Sequence, residues 1–258
     1  MIVSSWNVNS VRVRAVHIVD YLRDKKPNFL LLQEIKTENK NFPNNLFLKE
    51  GYQSYVYGQK SYNGVAILAN DKIENIENNS INDPSLQSRV ITGDISYNKK
   101  KTKLICIYVP NGNPIDTDKY VYKKKWLNIF EKYLKKIKKN YENIIVAGDF
   151  NIIPSNEDVY DPKSWENDAL FKEEIREKFK DLMKLDFFDA LRHFNKAPKT
   201  YTFWDYQYRS YQKNNGLRID HFLVSNNLKN SLEDIIIDKY TRGLEQPSDH
   251  VPVRAVFI

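Results

Sequence analysis

Nine polar side chains in this sequence are suited to proton transfer or cation binding, and most of them follow apolar runs: Asn7, Glu34, Tyr108, Asn111, Asp149, Asn151, Asp220, Asp249 and His250. The densest group lies in NIIVAGDFNIIPS, Asn143 to Ser155. Ile144 to Gly148 reads as a buried strand bounded by turn formers, and it runs into a carboxylate and an amide two residues apart. Positions i and i+2 of an extended segment point the same way, so Asp149 and Asn151 can meet one small substrate. Strand ends are also where α/β proteins usually carry reactive groups. A turn cap at Asp149, with Asn151 bonded to its own backbone, would give the same pattern. The polar residues at other strand ends favour chemistry.

Carboxylates and amides with one well-placed histidine suit a hard, oxygen-preferring cation such as Mg²⁺, with Mn²⁺ as a substitute. Zinc is disfavoured, because the sequence has no HExxH, a single cysteine and four scattered histidines. There is no Walker loop and no GxGxxG, and no serine-nucleophile elbow. The set points to hydrolysis of a phosphate ester, with a phosphoryl oxygen neutralised by the cation. Asp149 would align or deprotonate water and Asn151 would hold it. His250, held by Asp220, would donate to the developing charge. His17, His193 and His221 read as helix surface, loop, and strand alternation opposite Asp220.

These residues need elements to carry them. Residues 2–6 read as a strand ending at Asn7 and Asn9, residues 11–25 as a helix stopped by Pro27, and FLLLQ at 29–33 as a buried strand followed directly by Glu34. Further strands are predicted at 52–57 and 63–69, and at 89–97 and 103–109 about a hairpin turn. The last of these ends in Tyr108 to Gly112. Residues 118–139 predict a basic amphipathic helix with Trp126, Ile129, Phe130, Tyr133, Leu134 and Ile137 on its apolar side and its lysines on a solvated face. After the Asp149 strand come a non-regular insertion, a helix over about 168–184, an aromatic surface loop or hairpin at 198–212, and strands at 216–224 and 251–257. No internal sequence repeat or linker interrupts the pattern. It predicts two packed sheets with helices outside, in one domain over 1–258.

Bulk properties agree. The 258 residues can bury a substantial core, and 41% hydrophobic and 13% aromatic content excludes wholesale disorder. No apolar run is long enough to span a bilayer, and MIVSSWNVNS does not resemble a signal peptide. Cys106, the one cysteine, sits in an apolar run as core filler and suits a reducing, cytoplasmic setting. The net charge of +7 favours polyanionic partners, although a lysine- and asparagine-rich coding bias would also produce it.

The segments IVSSWNVNS, LLLQEIK, YNGVAIL, IYVPNG, VAGDFNIIP, YTFWDY, GLRIDHFLVS and PSDHVPV, in this order, resemble the exonuclease III family of apurinic/apyrimidinic endonucleases. The resemblance spans essentially the whole chain. It implies a four-layered α/β sandwich and Mg²⁺-dependent cleavage of DNA phosphodiesters. It further implies incision 5′ to abasic sites, 3′-to-5′ exonuclease action on duplex DNA and removal of blocking 3′ groups. By motif match, Glu34 takes the metal-ligand position with Asn7 and Asp249 beside it, and Asp149 and Asn151 activate and place the nucleophile. Tyr108, Asn111 and His250 fall on phosphate-contacting positions, and Asp220 on the one that orients His250. Arg12, Tyr62, Gly64 and Arg89 match positions that touch the DNA backbone or minor groove. Phe203 and Trp204 match an aromatic wall for the baseless sugar, and Leu217 stands in its last segment where animal members carry Trp. Ile35 replaces the usual Thr after the metal-binding Glu, and Asn28 an acid near a second metal site. Neither change supports a second ion. A monomer is the expected state, acting on duplex DNA with abasic sites or damaged 3′ ends.

Two other classes are compatible with parts of this pattern. A phosphoesterase acting on inositol phosphates or phospholipids would share the SDH and GDFN motifs, but not YTFWDY or GLRIDH. A catalytically dead DNA-binding scaffold would be expected to lack one of Glu34, Asp149, Asn151, Asp220 or His250, and all are present.

Overall fold

The computed structural model describes residues 1–258. Its strands form two six-stranded sheets. The first has the order β11 (Leu232–Ile237), β12 (Val253–Phe257), β1 (Ile2–Asn7), β2 (Phe29–Gln33), β4 (Val65–Ala69), β3 (Gln53–Tyr57). The second has the order β5 (Ile73–Asn78), β6 (Val90–Tyr97), β7 (Lys100–Tyr108), β8 (Asn143–Asp149), β10 (Asp220–Ser225), β9 (Phe187–Asp189). The helices are α1 (Ala15–Lys25), α2 (Asn44–Lys49), α3 (Asp118–Ile137), α4 (Pro162–Trp165), α5 (Glu173–Met183) and α6 (Ala190–Phe194).

Each sheet is centred on one parallel pair, β1–β2 joined through α1 and β7–β8 joined through α3, and every other pairing is antiparallel. The two halves therefore repeat a topology that leaves no repeat in the sequence. The apolar runs of the central strands follow from burial on both faces. Phe29 and Leu31 of β2 and Ile145 and Ala147 of β8 enter the core between the sheets. Leu30 and Leu32 face outward against α1 and α2, and Ile144 and Val146 face α3 and α5. The result is a four-layered α/β sandwich.

Several element boundaries differ from expectation. The first helix begins at Ala15 rather than Val11, because Asn9 and Ser10 adopt positive φ and the Val11 N–H is taken by the Ile35 carbonyl. The helix expected over 168–184 is confined to α5, preceded by the single turn of α4. The aromatic segment expected on the surface is partly internal, with Tyr201 and Trp204 buried. His193 lies on α6 rather than in a loop.

A buried ion network fastens the chain after β8 to the base of β10. Arg218 donates from Nε to Asp158 Oδ1 at 2.6 Å, from Nη2 to Asp158 Oδ2 at 3.1 Å and from Nη1 to Asp189 Oδ2 at 2.7 Å. Arg192 also pairs with Asp158. Burial opposes the Asp158 charge, but Arg218 and then Arg192 outweigh it and hold the carboxyl far below its usual range. A carboxyl depressed in the folded state stabilises fully above the unfolded value of about 3.9 and loses that contribution as the pH falls towards the folded one. Asp158→Asn is expected to cost about 3–5 kcal/mol at pH 7, because it leaves buried guanidinium charge uncompensated. The gap to wild type should narrow by about 1 kcal/mol at pH 3. Urea unfolding at the two pH values checks this, and an unchanged gap would exclude the ion pair as its source.

Candidate active site

Strand parity decides which polar residues face the space between the sheets. In β1, Val3 enters the inter-sheet core, so Asn7 points the same way. In β7, Leu104 and Cys106 precede Tyr108 on the inner face. In β8, Ile145 and Ala147 precede Asp149, and in β10, Phe222 and Val224 follow Asp220. The apolar slot therefore turns polar at one end of four strands. Glu34 has the wrong parity for this face, and its φ of +49° turns the chain just past β2. Gly148 is required where β8 closes on β7, since a Cβ there would lie 1.9 Å from the Ile107 carbonyl oxygen.

The groups meet across the two sheets. Asn7 Nδ2 donates to Glu34 Oε1 at 2.9 Å and to Asp149 Oδ2 at 2.9 Å. Asn151, at φ +48°, donates its backbone N–H to Asp149 Oδ1 at 2.8 Å and its amide to the Val109 carbonyl at 2.9 Å. Its Oδ1 accepts from Asn111 Nδ2 at 3.2 Å. Asp220 accepts from Thr202 Oγ1 at 2.6 Å and lies 2.9 Å from His250 Nδ1. Nδ1 is thereby fixed as a donor, and His250 Nε2 is left 3.8 Å from Asp149 Oδ2.

Electrostatics follow from this placement. Burial opposes a charged His250, but Asp220, then Asp149 and Asp249, outweigh it and raise its pKa well above the imidazole range. Burial pushes Asp149 upward; the His250 charge opposes this, and Asp220 and Glu34 add to it. Burial, followed by the charges of Glu34 and Asp149, raises the Tyr108 hydroxyl and keeps it a neutral donor. Burial of Glu34 is outweighed by Lys36 and the Asn7 amide, so its carboxyl is lowered. The Lys36 ammonium sits 2.8 Å from Glu34 Oε2.

Ligand atoms of Glu34, Asp149 and His250 lie within 4.8 Å of one another, so this oxygen-rich cluster can hold a cation. Asp249 lines the same cleft and accepts from Asn9 Nδ2 at 3.1 Å, outside that trio. The cleft, about 290 Å³, is lined by the polar cluster and by the apolar side chains of Trp165, Leu170, Phe203, Leu217 and Ile219. Phe203 packs edge-on to His250, with ring centroids 4.9 Å apart.

Other expected residues fall elsewhere. Trp204 does not line the cleft: it is buried against Tyr201 and Tyr211, with its Nε1 bonded to Asn214. Tyr62, Arg89 and Asn111 border a second, open polar groove of about 510 Å³. There the Arg89 guanidinium stacks on the Tyr108 ring at 4.8 Å. Gly64 lies under Ile35, where a Cβ would come within 2.5 Å of Cγ1, and Arg12 is exposed outside both hollows. Asn28 accepts the Ile2 N–H at 2.7 Å, an end-of-strand role. His221 is buried between Arg218 and the Ile152 carbonyl and is lowered to about 4 by burial and then Arg218.

Sequence reasoning missed Lys36, Trp165 and Lys123. Lys123 is fully buried despite lying in a run of lysines. Its position three residues from both Tyr120 and Trp126, on the apolar stripe of α3, was the available signal.

A family model for the endonuclease/exonuclease/phosphatase family matches residues 4–250. The chain belongs to this family. Among its relatives, exodeoxyribonuclease III of Haemophilus influenzae is 30% identical over 98% of both chains. A 3′ phosphatase from Neisseria, solved with a product DNA hairpin, is 34% identical with a TM-score of 0.95, covering 100% of this chain and 99% of its own. An AP endonuclease from Archaeoglobus fulgidus is 33% identical with a TM-score of 0.93 over 100% and 99%. These similarities bear out the exonuclease III resemblance and the sandwich expected from it.

The Asp220 contact is expected to dominate the proton affinity of His250. In metal-free protein, Asp220→Asn should lower the His250 titration midpoint by at least about one pH unit, read from its ¹⁵N shifts. The sign is that of a raised base losing its partner: the variant deprotonates earlier as pH climbs. An unmoved midpoint would assign the effect to Asp149 and Asp249.

Proposed function

We propose that this chain is a DNA-repair phosphodiesterase of base excision repair. It incises 5′ to abasic sites, resects duplex DNA from the 3′ end and removes blocking 3′ groups. The observation that carries this is the line Asp220–His250–Asp149, with Nδ1 at 2.9 Å and Nε2 at 3.8 Å from the two carboxylates, opening onto an apolar wall. Such a wall suits a sugar without its base, and extruding a baseless nucleotide is inexpensive. The exonuclease and AP endonuclease relatives support the same substrate class.

Glu34 would hold the essential cation, Mg²⁺ or Mn²⁺, with Asn7, Asp149, Asn151 and Asp249 about it, and the ion would supply charge neutralisation at a phosphoryl oxygen. The chain's own residues do the rest. Asp149, made more basic by burial, takes a proton from the attacking water, which Asn151 orients. His250, kept protonated by Asp220, and neutral Tyr108 donate to the charge that develops on the phosphoryl oxygens. Asn111 and Arg89 would position flanking phosphates, and Arg12, Tyr62, Phe203 and Leu217 are the remaining DNA-facing candidates, whereas Trp204 and Gly64, both buried, would support them from behind. The whole chain would act as one domain and as a cytoplasmic monomer.

A fluorescent duplex with one abasic-site analogue, beside a recessed 3′ end, tests this with and without Mg²⁺. Metal-dependent incision 5′ to the analogue is expected, and absence of cutting on both substrates would overturn the proposal. Asp149→Asn should reduce the cleavage rate at least about 1000-fold while binding of the abasic duplex survives. Retention of a tenth of the rate would remove Asp149 from its role. Duplex binding should weaken at least about tenfold between 50 and 200 mM salt, and a salt-independent dissociation constant would contradict a phosphate-contacting face.

A further inference from the structure

The α3 lysine run contains one member whose position its neighbours do not explain. The Lys123 side chain is fully enclosed, and its Nζ donates to three backbone carbonyls, Asn111 at 2.9 Å, Asn151 at 2.6 Å and Ala169 at 3.0 Å. No carboxylate lies in direct contact with it. An ammonium donates three hydrogen bonds, so the group is saturated by these three acceptors. Each acceptor belongs to a different segment of the cleft rim. Asn111 follows β7 and touches Asn151, Asn151 follows β8 and touches Asp149, and Ala169 precedes Leu170 on the apolar wall.

The segments are also packed around the lysine stem. Gly112 sits at φ +89°, and a Cβ there would fall 2.6 Å from Lys123 Cδ and 3.3 Å from the Ala169 Cβ. Next to it, Asn113 accepts the Ala169 N–H at 3.0 Å and donates to both oxygens of Asp168. Removing the ammonium would leave three inward-facing carbonyls without their donor, and each would turn to find another. The cleft residues attached to them would turn as well.

We propose that Lys123 is a positioning residue that fixes the Asn111, Asn151 and Ala169 segments in one arrangement, and so sets the phosphate-side and wall-side geometry of the cleft. The inference rests on the nuclease reading above. It assigns Lys123 no contact with substrate.

Lys123→Met keeps the length and apolar stem and removes the donors. Its partner is Phe130→Leu, which loosens α3 on the same buried face away from the rim. Single-turnover cleavage of the abasic-analogue duplex and the duplex dissociation constant are measured at saturating Mg²⁺, with Tm recorded for each. The Lys123→Met rate is expected to fall at least about 30-fold with the dissociation constant within about threefold, while Phe130→Leu keeps its rate at a similar Tm loss. A rate within threefold of wild type, an equal loss in Phe130→Leu, or a loss confined to binding would overturn the proposal. Should Lys123→Met not fold, Lys123→Gln, which retains an amide donor, is judged by the same criteria. Failure of wild type to cut would instead count against the nuclease reading.

Discussion

The site depends on one side-chain amide placed between two sheets. Asn7 comes from the first sheet and holds a carboxylate of each, Glu34 beside its own strand and Asp149 across the gap, both at 2.9 Å. Carboxylate oxygens of Glu34 and Asp149 lie within 4.8 Å of each other, where two like charges repel by at least about 3.5 kcal/mol at an effective dielectric of 20, and a neutral donor lessens this without adding net charge. The Asn7 Oδ1 is itself held by the Asn9 N–H at 3.0 Å, so the amide has little freedom to flip. An amide reaches only a few ångströms, whereas packed sheets lie about 10 Å apart. The bridge therefore exists only because both strands end in side chains long enough to meet, and because the core behind them sets the spacing.

Charge is arranged around that bridge in an order that gives each group a separate condition. His250 lies between Asp220, which is closed off by Thr202, and Asp149, which faces the cleft. The paired carboxylate favours the protonated imidazole, and burial raises the proton affinity of the open one. Lys36 offsets Glu34 from the outer side, and Tyr108 stays neutral between carboxylates. Similar side chains thus differ in proton affinity because burial and partners differ.

Most of the scaffold was legible because it obeys simple periodicities. FLLLQ and IIVAG are continuous apolar runs because β2 and β8 are covered on both faces. Asn7, Tyr108 and Asp149 were legible as polar residues at strand ends, and in the structure strand alternation turns all three to the inner face. Glu34 was legible as an acid after a buried run, but not as an inward-facing one, since a positive φ overrides the alternation there. Lys123 was misassigned because composition read the whole lysine run as solvated, while the 3.6-residue period put one position inside. Trp165 was missed because a single helical turn in an irregular segment has no period to detect, and short edge elements such as β9 and α6 fail for the same reason. The family resemblance put Trp204 on the wall together with Phe203, yet neighbours in an extended segment face opposite ways.

That last distinction ties the apolar wall to the histidine. Phe203 makes backbone bridges to both Leu217 and His250, and the preceding Thr202 bonds Asp220 through its hydroxyl. The strip that presents the apolar wall is therefore the strip that holds the histidine and its carboxylate partner. Trp204, pointing the other way, anchors this strip by burying its indole against Tyr201 and Tyr211. Two residues of backbone thus link the wall to His250 and Asp220. In the proposed function, the shape of the wall and the placement of His250 are coupled, and the identity of residue 217 would bear on how well a bound sugar is aligned for cleavage as well as on which sugar fits.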